Sequence, residues 1–192
     1  EIISYFAHTM YNSGNQLIDS ETLFVKAQLR PGMHIADLGC GRVGHIVFPA
    51  SLIIGERGIV YAVDVLKDVL LEIKKRAAME NLTEVQTVWT NLEVVGHTAI
   101  PTKSLDAAFL INVLNQSDNR HAILEEAHRL LKDKARLIVV DWSKKGLAFG
   151  PPAERYLDFQ DLKNWSMLHG FVVQEEFDMG PFHHGLVLFK HD

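Results

Sequence analysis

The stretch Ile35-Ala36-Asp37-Leu38-Gly39-Cys40-Gly41-Arg42-Val43-Gly44 decides the fold. A short apolar run ends in a carboxylate, a glycine-rich turn follows, and a helical pattern over 44–54 begins behind it. Strand, glycine turn and helix in that order form the opening unit of a parallel α/β sheet. Gly39 and Gly41 let the backbone pass close to a ligand where a Cβ would intrude, and the helix start supplies unpaired N–H groups. Asp64 stands twenty residues beyond Gly44, at the end of a second strand over 59–63. In a parallel sheet the two turns emerge on the same edge, so Asp64 is placed to hold both hydroxyls of a ribose. Asp37 argues against a pyrophosphate, which it would repel, and suits an ammonium or sulfonium instead. The ligand read from these residues is a nucleoside-type cofactor carrying a cation.

Outward from this unit the alternation continues. Strands are read at 34–38, 59–63, 85–89, 105–111 and 135–140, with two more at 171–177 and 186–190. Helices are read at 20–29 with Ser20 as its N-cap, in the apolar stripe Leu66, Val69, Leu70, Ile73, Ala77, at 118–132 and at 158–169. The wholly apolar run ending at Ile111 reads as a central strand buried on both faces. Residues 178–185 read as a long turn between the last two strands, which makes these antiparallel. The 192 residues give one domain over 20–192, preceded by a 1–19 segment whose Tyr5, Phe6, His8, Met10 and Tyr11 read as a lid.

Composition sets limits on function. Apolar residues make up 47% and charged residues 22%, as in an ordinary globular protein, and the net charge of −5 disfavours binding of nucleic acid through phosphates. No run is long enough to span a membrane. The single cysteine, Cys40, excludes an intrachain disulfide and fits a reducing, cytoplasmic compartment; no leader or lipidation motif is read. Cys40 itself reads as a small buried turn residue. His121 and His128 lack the companions a metal site needs, so no metal is expected. Phe149 to Pro152 could serve a homodimer contact.

Four segments in order carry a resemblance. Asp37 to Gly41, Val60-Tyr61-Ala62-Val63-Asp64, Leu105 to Leu114, and Ala122 to Lys132 with its Glu-x-x-Arg pattern resemble motifs of the class I S-adenosylmethionine-dependent methyltransferases, over roughly residues 20–190. The small-molecule branch that resembles the ubiquinone and menaquinone methyltransferases is the nearest in pattern. The resemblance implies a Rossmann-like α/β fold: a seven-stranded, mostly parallel sheet of order 3-2-1-4-5-7-6, strand 7 antiparallel, helices on both faces. It implies S-adenosyl-L-methionine as cofactor and a small-molecule acceptor. Gly39, Cys40 and Gly41 would lie under the methionine part, Asp37 near its amino group, and Asp64 on the ribose. Val65 and Leu92 would flank the adenine with Asn91 at its amino edge, and Asn112 and Val113 would end strand 4 beneath the methyl group. The chain departs from the family pattern at Val43, where many members carry a third glycine; here it follows one later, as Gly44.

In-line methyl transfer needs alignment and dryness more than acid–base chemistry, with a general base only for a protonated nucleophile. His183 and His184 are the candidates for that base, with Arg155 and Tyr156 read as a second lid or an anion contact and Asp141 as an orienting or capping carboxylate. The alternatives are a non-catalytic S-adenosylmethionine-binding module and a nicotinamide-dependent oxidoreductase.

Overall fold

The computed structural model describes residues 17–191. The lid expected of residues 1–19 rests on positions that lie, apart from 17–19, outside the described residues.

The first helix, α1 (Ser20–Ala27), is capped one residue earlier than the sequence suggests. Asp19, not Ser20, is its N-cap, and its carboxylate accepts from the Glu21 and Thr22 N–H groups. Then follow β1 (His34–Leu38), α2 (Val47–Ile54), β2 (Ile59–Asp64), α3 (Lys67–Met79), β3 (Val85–Trp89) and β4 (Leu105–Ile111). Next come α4 (Arg120–Leu130), β5 (Leu131–Trp142), α5 (Phe159–Leu168), β6 (Phe171–Met179) and β7 (His183–Lys190).

The seven strands form one sheet of order β3-β2-β1-β4-β5-β7-β6. β7 runs antiparallel to both neighbours, and the pairs among β1 to β5 are parallel. Side chains alternate across it with the two-residue period of a strand. From β1 and β4, Ile35, Ala107, Phe109 and Ile111 pack toward α1, α2 and α3. Ala36, Leu38, Ala108 and Leu110 pack toward α4 and α5 on the other face. From Ala107 to Ile111 β4 is apolar at every position and is covered on both faces, as expected for a central strand.

Three further differences from the sequence reading have a clear physical cause. The helix expected from Gly44 starts at Val47, because 41–46 stay in turn conformation around Gly41 and Gly44, both at φ +61°. The helix expected over 118–132 is Arg120–Leu130, and β5 follows it directly. There the Lys190 ammonium, 1% exposed, donates to the carbonyls of His128 and Leu131, satisfying acceptors that a helix end leaves open. The long turn expected over 178–185 shrinks to residues 180–182. β6 and β7 therefore run further than read, and His183 and His184 are strand residues.

Candidate active site

At the carboxyl ends of β1, β2 and β4 the sheet opens into a cavity of about 550 Å³. Open parallel sheets place ligands at such an edge, where the strand order reverses. The Gly39 and Cys40 N–H groups both donate to the Val63 carbonyl, at 2.8 and 2.9 Å, and hold the turn against the end of β2. Gly39 lies at φ +90°, and a Cβ there would meet Val113 Cγ2 at 2.5 Å. A Cβ on Gly41 would meet no atom within 4 Å; it would project into open space. Gly44 takes up the close approach the turn needs, since a Cβ would lie 2.6 Å from the Phe48 ring and 2.8 Å from Ile73. Val43 is therefore free to face outward and line the cavity.

Asp64 closes the other side. Its Oδ2 accepts from the Gly41 N–H at 3.0 Å and its Oδ1 from the Leu66 N–H at 2.9 Å. Asp37 sits behind the turn, 2% exposed. Burial, aided by the charge of Asp64, pushes its carboxyl up to about 8. Burial, with the charges of Asp37 and Asp64, raises the Cys40 thiol, which leaves no thiolate and fits a packing role.

Of the cofactor residues named from the sequence, Gly39, Cys40, Gly41, Asp64, Val65, Asn91, Leu92 and Val113 line this cavity together. Asp37 and Asn112 do not line it. Asp37 lies within β1, and Asn112, at φ +56° and 1% exposed, ends β4 with its N–H on the Val140 carbonyl. Asn91 turns its Oδ1 to the Glu93 N–H and so shapes the loop that walls the cavity.

Several wall residues escaped the sequence reading: Thr90, Glu93, Gln116 and Ser117. Glu93 accepts from the Ser117 hydroxyl and from the Asp118 and Asn119 N–H groups, stitching the loop after β3 to the one after β4. No local motif signals such a pairing across 24 residues.

His183 and His184 lie outside that lining. His184 Nδ1 meets Asp178 at 2.8 Å and Nε2 meets Glu176 at 2.9 Å, so carboxylates hold both ring nitrogens. His183 is 1% exposed, its ring lies 4.3 Å from that of Trp142 at a 42° tilt, and burial pushes its pKa down to about 4. Asp141, buried at the end of β5, accepts from the Asn115 N–H and side-chain amide and from the Trp142 N–H. It clamps the turn after β4, the capping role. Arg155 donates to Asp118 and to the Ser117 carbonyl, and Tyr156 donates to the Lys144 carbonyl.

A buried carboxylate beneath a glycine turn, a ribose-range carboxylate beside it and a cleft that admits a nucleoside suit S-adenosylmethionine in charge and shape. A family model described as a methyltransferase domain matches residues 29–176. A SAM-dependent methyltransferase from Aquifex aeolicus superposes with TM-score 0.81 at 23% identity, over 97% of each chain. A putative type 11 methyltransferase from Sulfolobus solfataricus gives TM-score 0.71 at 27% identity, over 92% of this chain and 94% of that one. An arsenic(III) S-adenosylmethionine methyltransferase from Chlamydomonas reinhardtii gives 0.65 at 17% identity, over 84% of this chain and 64% of that one. The chain belongs to the class I S-adenosylmethionine-dependent methyltransferases, and its cofactor is S-adenosylmethionine.

Proposed function

We propose, from the premise of that family membership, that this chain transfers the methyl group of S-adenosylmethionine to a small-molecule acceptor by in-line displacement. The observation that carries the reading is the joining of the glycine turn to Asp64 around one open cavity, with Asp37 buried behind it. When bound, the cofactor supplies an activated methyl group and its own leaving group. The protein's residues then have four tasks. Gly39, Cys40 and Gly41 give the amino-acid part a backbone floor. Asp37 offers a carboxylate to the cationic end, and Asp64 offers oxygens to the ribose. Val65 and Leu92 flank the adenine beside Asn91. Asn112 and Val113, at the end of β4, set the line along which the acceptor approaches, and near-attack alignment is the main contribution to rate.

A general base enters only for a protonated nucleophile. The two carboxylates on His184 commit its ring to β6, so the role falls to His183, whose neutral imidazole has an acceptor nitrogen at physiological pH. The net charge of −5 supports a small acceptor over a nucleic acid.

The test uses cofactor labelled in the methyl group and a fractionated extract. Label passing to a low-molecular-weight product supports the reading. Label passing only to protein or nucleic acid contradicts the acceptor class, and cofactor binding without turnover on any fraction favours the non-catalytic module.

A further inference from the structure

One strand beyond the cofactor cavity, on the same sheet edge, the ends of β5 and β7 carry a second constellation. Trp142 and His183 are directly paired across the two strands. Both are buried, at 5% and 1% exposure. Neither ring nitrogen of His183 has a hydrogen-bond partner among the described residues. A neutral imidazole carries one donor and one acceptor. Leaving both unmet in a buried place is costly, so an orphaned pair calls for a partner that arrives later.

What lies over this floor is a strap. Residues 145–152 form no helix or strand. Among the described residues, no backbone hydrogen bond ties 145–151 to the body of the domain. The feet are fixed: the Ser143 and Lys144 N–H groups donate to the Phe182 carbonyl, and Tyr156 Oη donates to the Lys144 carbonyl at 2.8 Å. Between the feet the strap rests on rings. Phe149, 44% exposed, meets Trp142 at 6.0 Å and Phe182 at 5.3 Å, the two residues that flank His183. The Gly150 backbone lies so close to the Trp142 face that a Cβ would stand 3.2 Å from it. Gly146 and Gly150, at φ +76° and +101°, give the segment two pivots that other residues rarely supply. A segment with firm feet, few bonds and one aromatic plug opens at low cost.

We propose that the Trp142–His183 floor is the acceptor-binding site, that the 145–152 strap lifts to uncover it, and that His183 reads an uncharged hydrogen-bonding group, a hydroxyl or an amide, on an apolar frame. This rests on the methyl-transfer reading above. The site adjoins the cofactor cavity, because the Asn112 N–H joins the end of β4 to Val140 of β5 and Asp141 holds Asn115 beside it. A charged acceptor would lose its hydration among Trp142, Phe149 and Phe182 without gaining a counter-ion from the neutral ring.

The test is modification of histidines by diethylpyrocarbonate, followed by peptide mapping, on protein saturated with S-adenosylhomocysteine. The reagent acylates an accessible neutral imidazole. His183 in the wild type is expected to react slowly, and Phe149→Ala to speed its modification by about tenfold or more as the plug is lost. Phe149→Leu, which keeps an apolar plug, is expected between the two and serves if the alanine variant folds poorly. Benzamide is expected to slow His183 modification in the variant, and benzoate, of the same shape but charged, to leave it fast. A His183 rate unchanged in both variants would overturn the strap. No protection by benzamide while S-adenosylhomocysteine stays bound would overturn the acceptor class alone. Absence of S-adenosylhomocysteine binding by the wild type would remove the premise as well.

Discussion

Asp64 and Gly41 are joined across 23 residues by a hydrogen bond of 3.0 Å from the Gly41 N–H to the Asp64 carboxylate. The carboxylate proposed to hold the ribose therefore also orders the glycine turn on the cavity's other side. Loss of Asp64 is expected to act twice, on ligand contact and on loop order. In the unliganded protein, Asp64→Ala should speed exchange of the Gly41 amide by about tenfold, the equivalent of a hydrogen bond of roughly 1.5 kcal/mol to a charged group. Unchanged exchange would separate the two roles.

If Asp37 faces the cationic end of the cofactor as proposed, cofactor binding is expected to depend on pH. Its carboxyl is pushed up to about 8 by burial and by Asp64, well above the usual carboxylate value of about 4. The folded protein then binds more protons than the unfolded chain between those values, so stability falls as pH rises from about 4 to about 8. A cation arriving beside Asp37 favours its charged form, and binding near pH 7 should release up to one proton. Calorimetry in buffers of different ionisation enthalpy reads that proton directly. Asp37→Asn should abolish the release, flatten the stability slope over this range and weaken binding by at least about tenfold.

The glycines at the two ends of the turn are not equivalent to the one between them. Gly39→Ala places a Cβ 2.5 Å from Val113, and Gly44→Ala places one 2.6 Å from Phe48, each at positive φ. Both should lower stability by about 1–3 kcal/mol in denaturant melts. Gly41→Ala meets no neighbour and bears only its φ of +61°, so it should cost about 1 kcal/mol while obstructing the ligand.

The Glu-x-x-Arg pattern of α4 is a structural device. Glu126, fully buried, accepts from the Gly96 and Thr98 N–H groups and from a two-pronged Arg129 guanidinium. Burial alone would raise its carboxyl, but the Arg129 and backbone donors outweigh it and hold the group at about 2. Its stabilisation is full above about pH 5 and fades as pH falls toward 2, opposite in sign to Asp37. Glu126→Ala should cost about 3–5 kcal/mol in chemical denaturation at pH 7 and leave cofactor affinity in the surviving folded fraction nearly unchanged.

The parts of the site legible in the sequence are those fixed by local grammar. A glycine turn and an acid twenty residues on pick out Gly39, Gly41 and Asp64, which line the cavity, while Asp37 lies behind them within β1, and the sheet has the order the family resemblance implies. The misread parts depend on distant partners. The β6–β7 hairpin lengthens because His183 and His184 find pairing positions opposite Trp142 and Asp141, which no turn signal at Gly180-Pro181 reveals. Glu93 and Ser117 meet only because two loops leave the same edge, and Lys190 is buried because carbonyls of α4 and β5 await it.

The central claim is that the turn held by Asp64 is an S-adenosylmethionine site. Calorimetric titration of the wild type and Asp64→Ala with S-adenosylmethionine and S-adenosylhomocysteine tests it most directly. The account predicts binding of both ligands in the micromolar range by the wild type and a loss of about a hundredfold or more in the variant, worth about 2.7 kcal/mol. Absence of binding by the wild type, or equal binding by the variant, would contradict it.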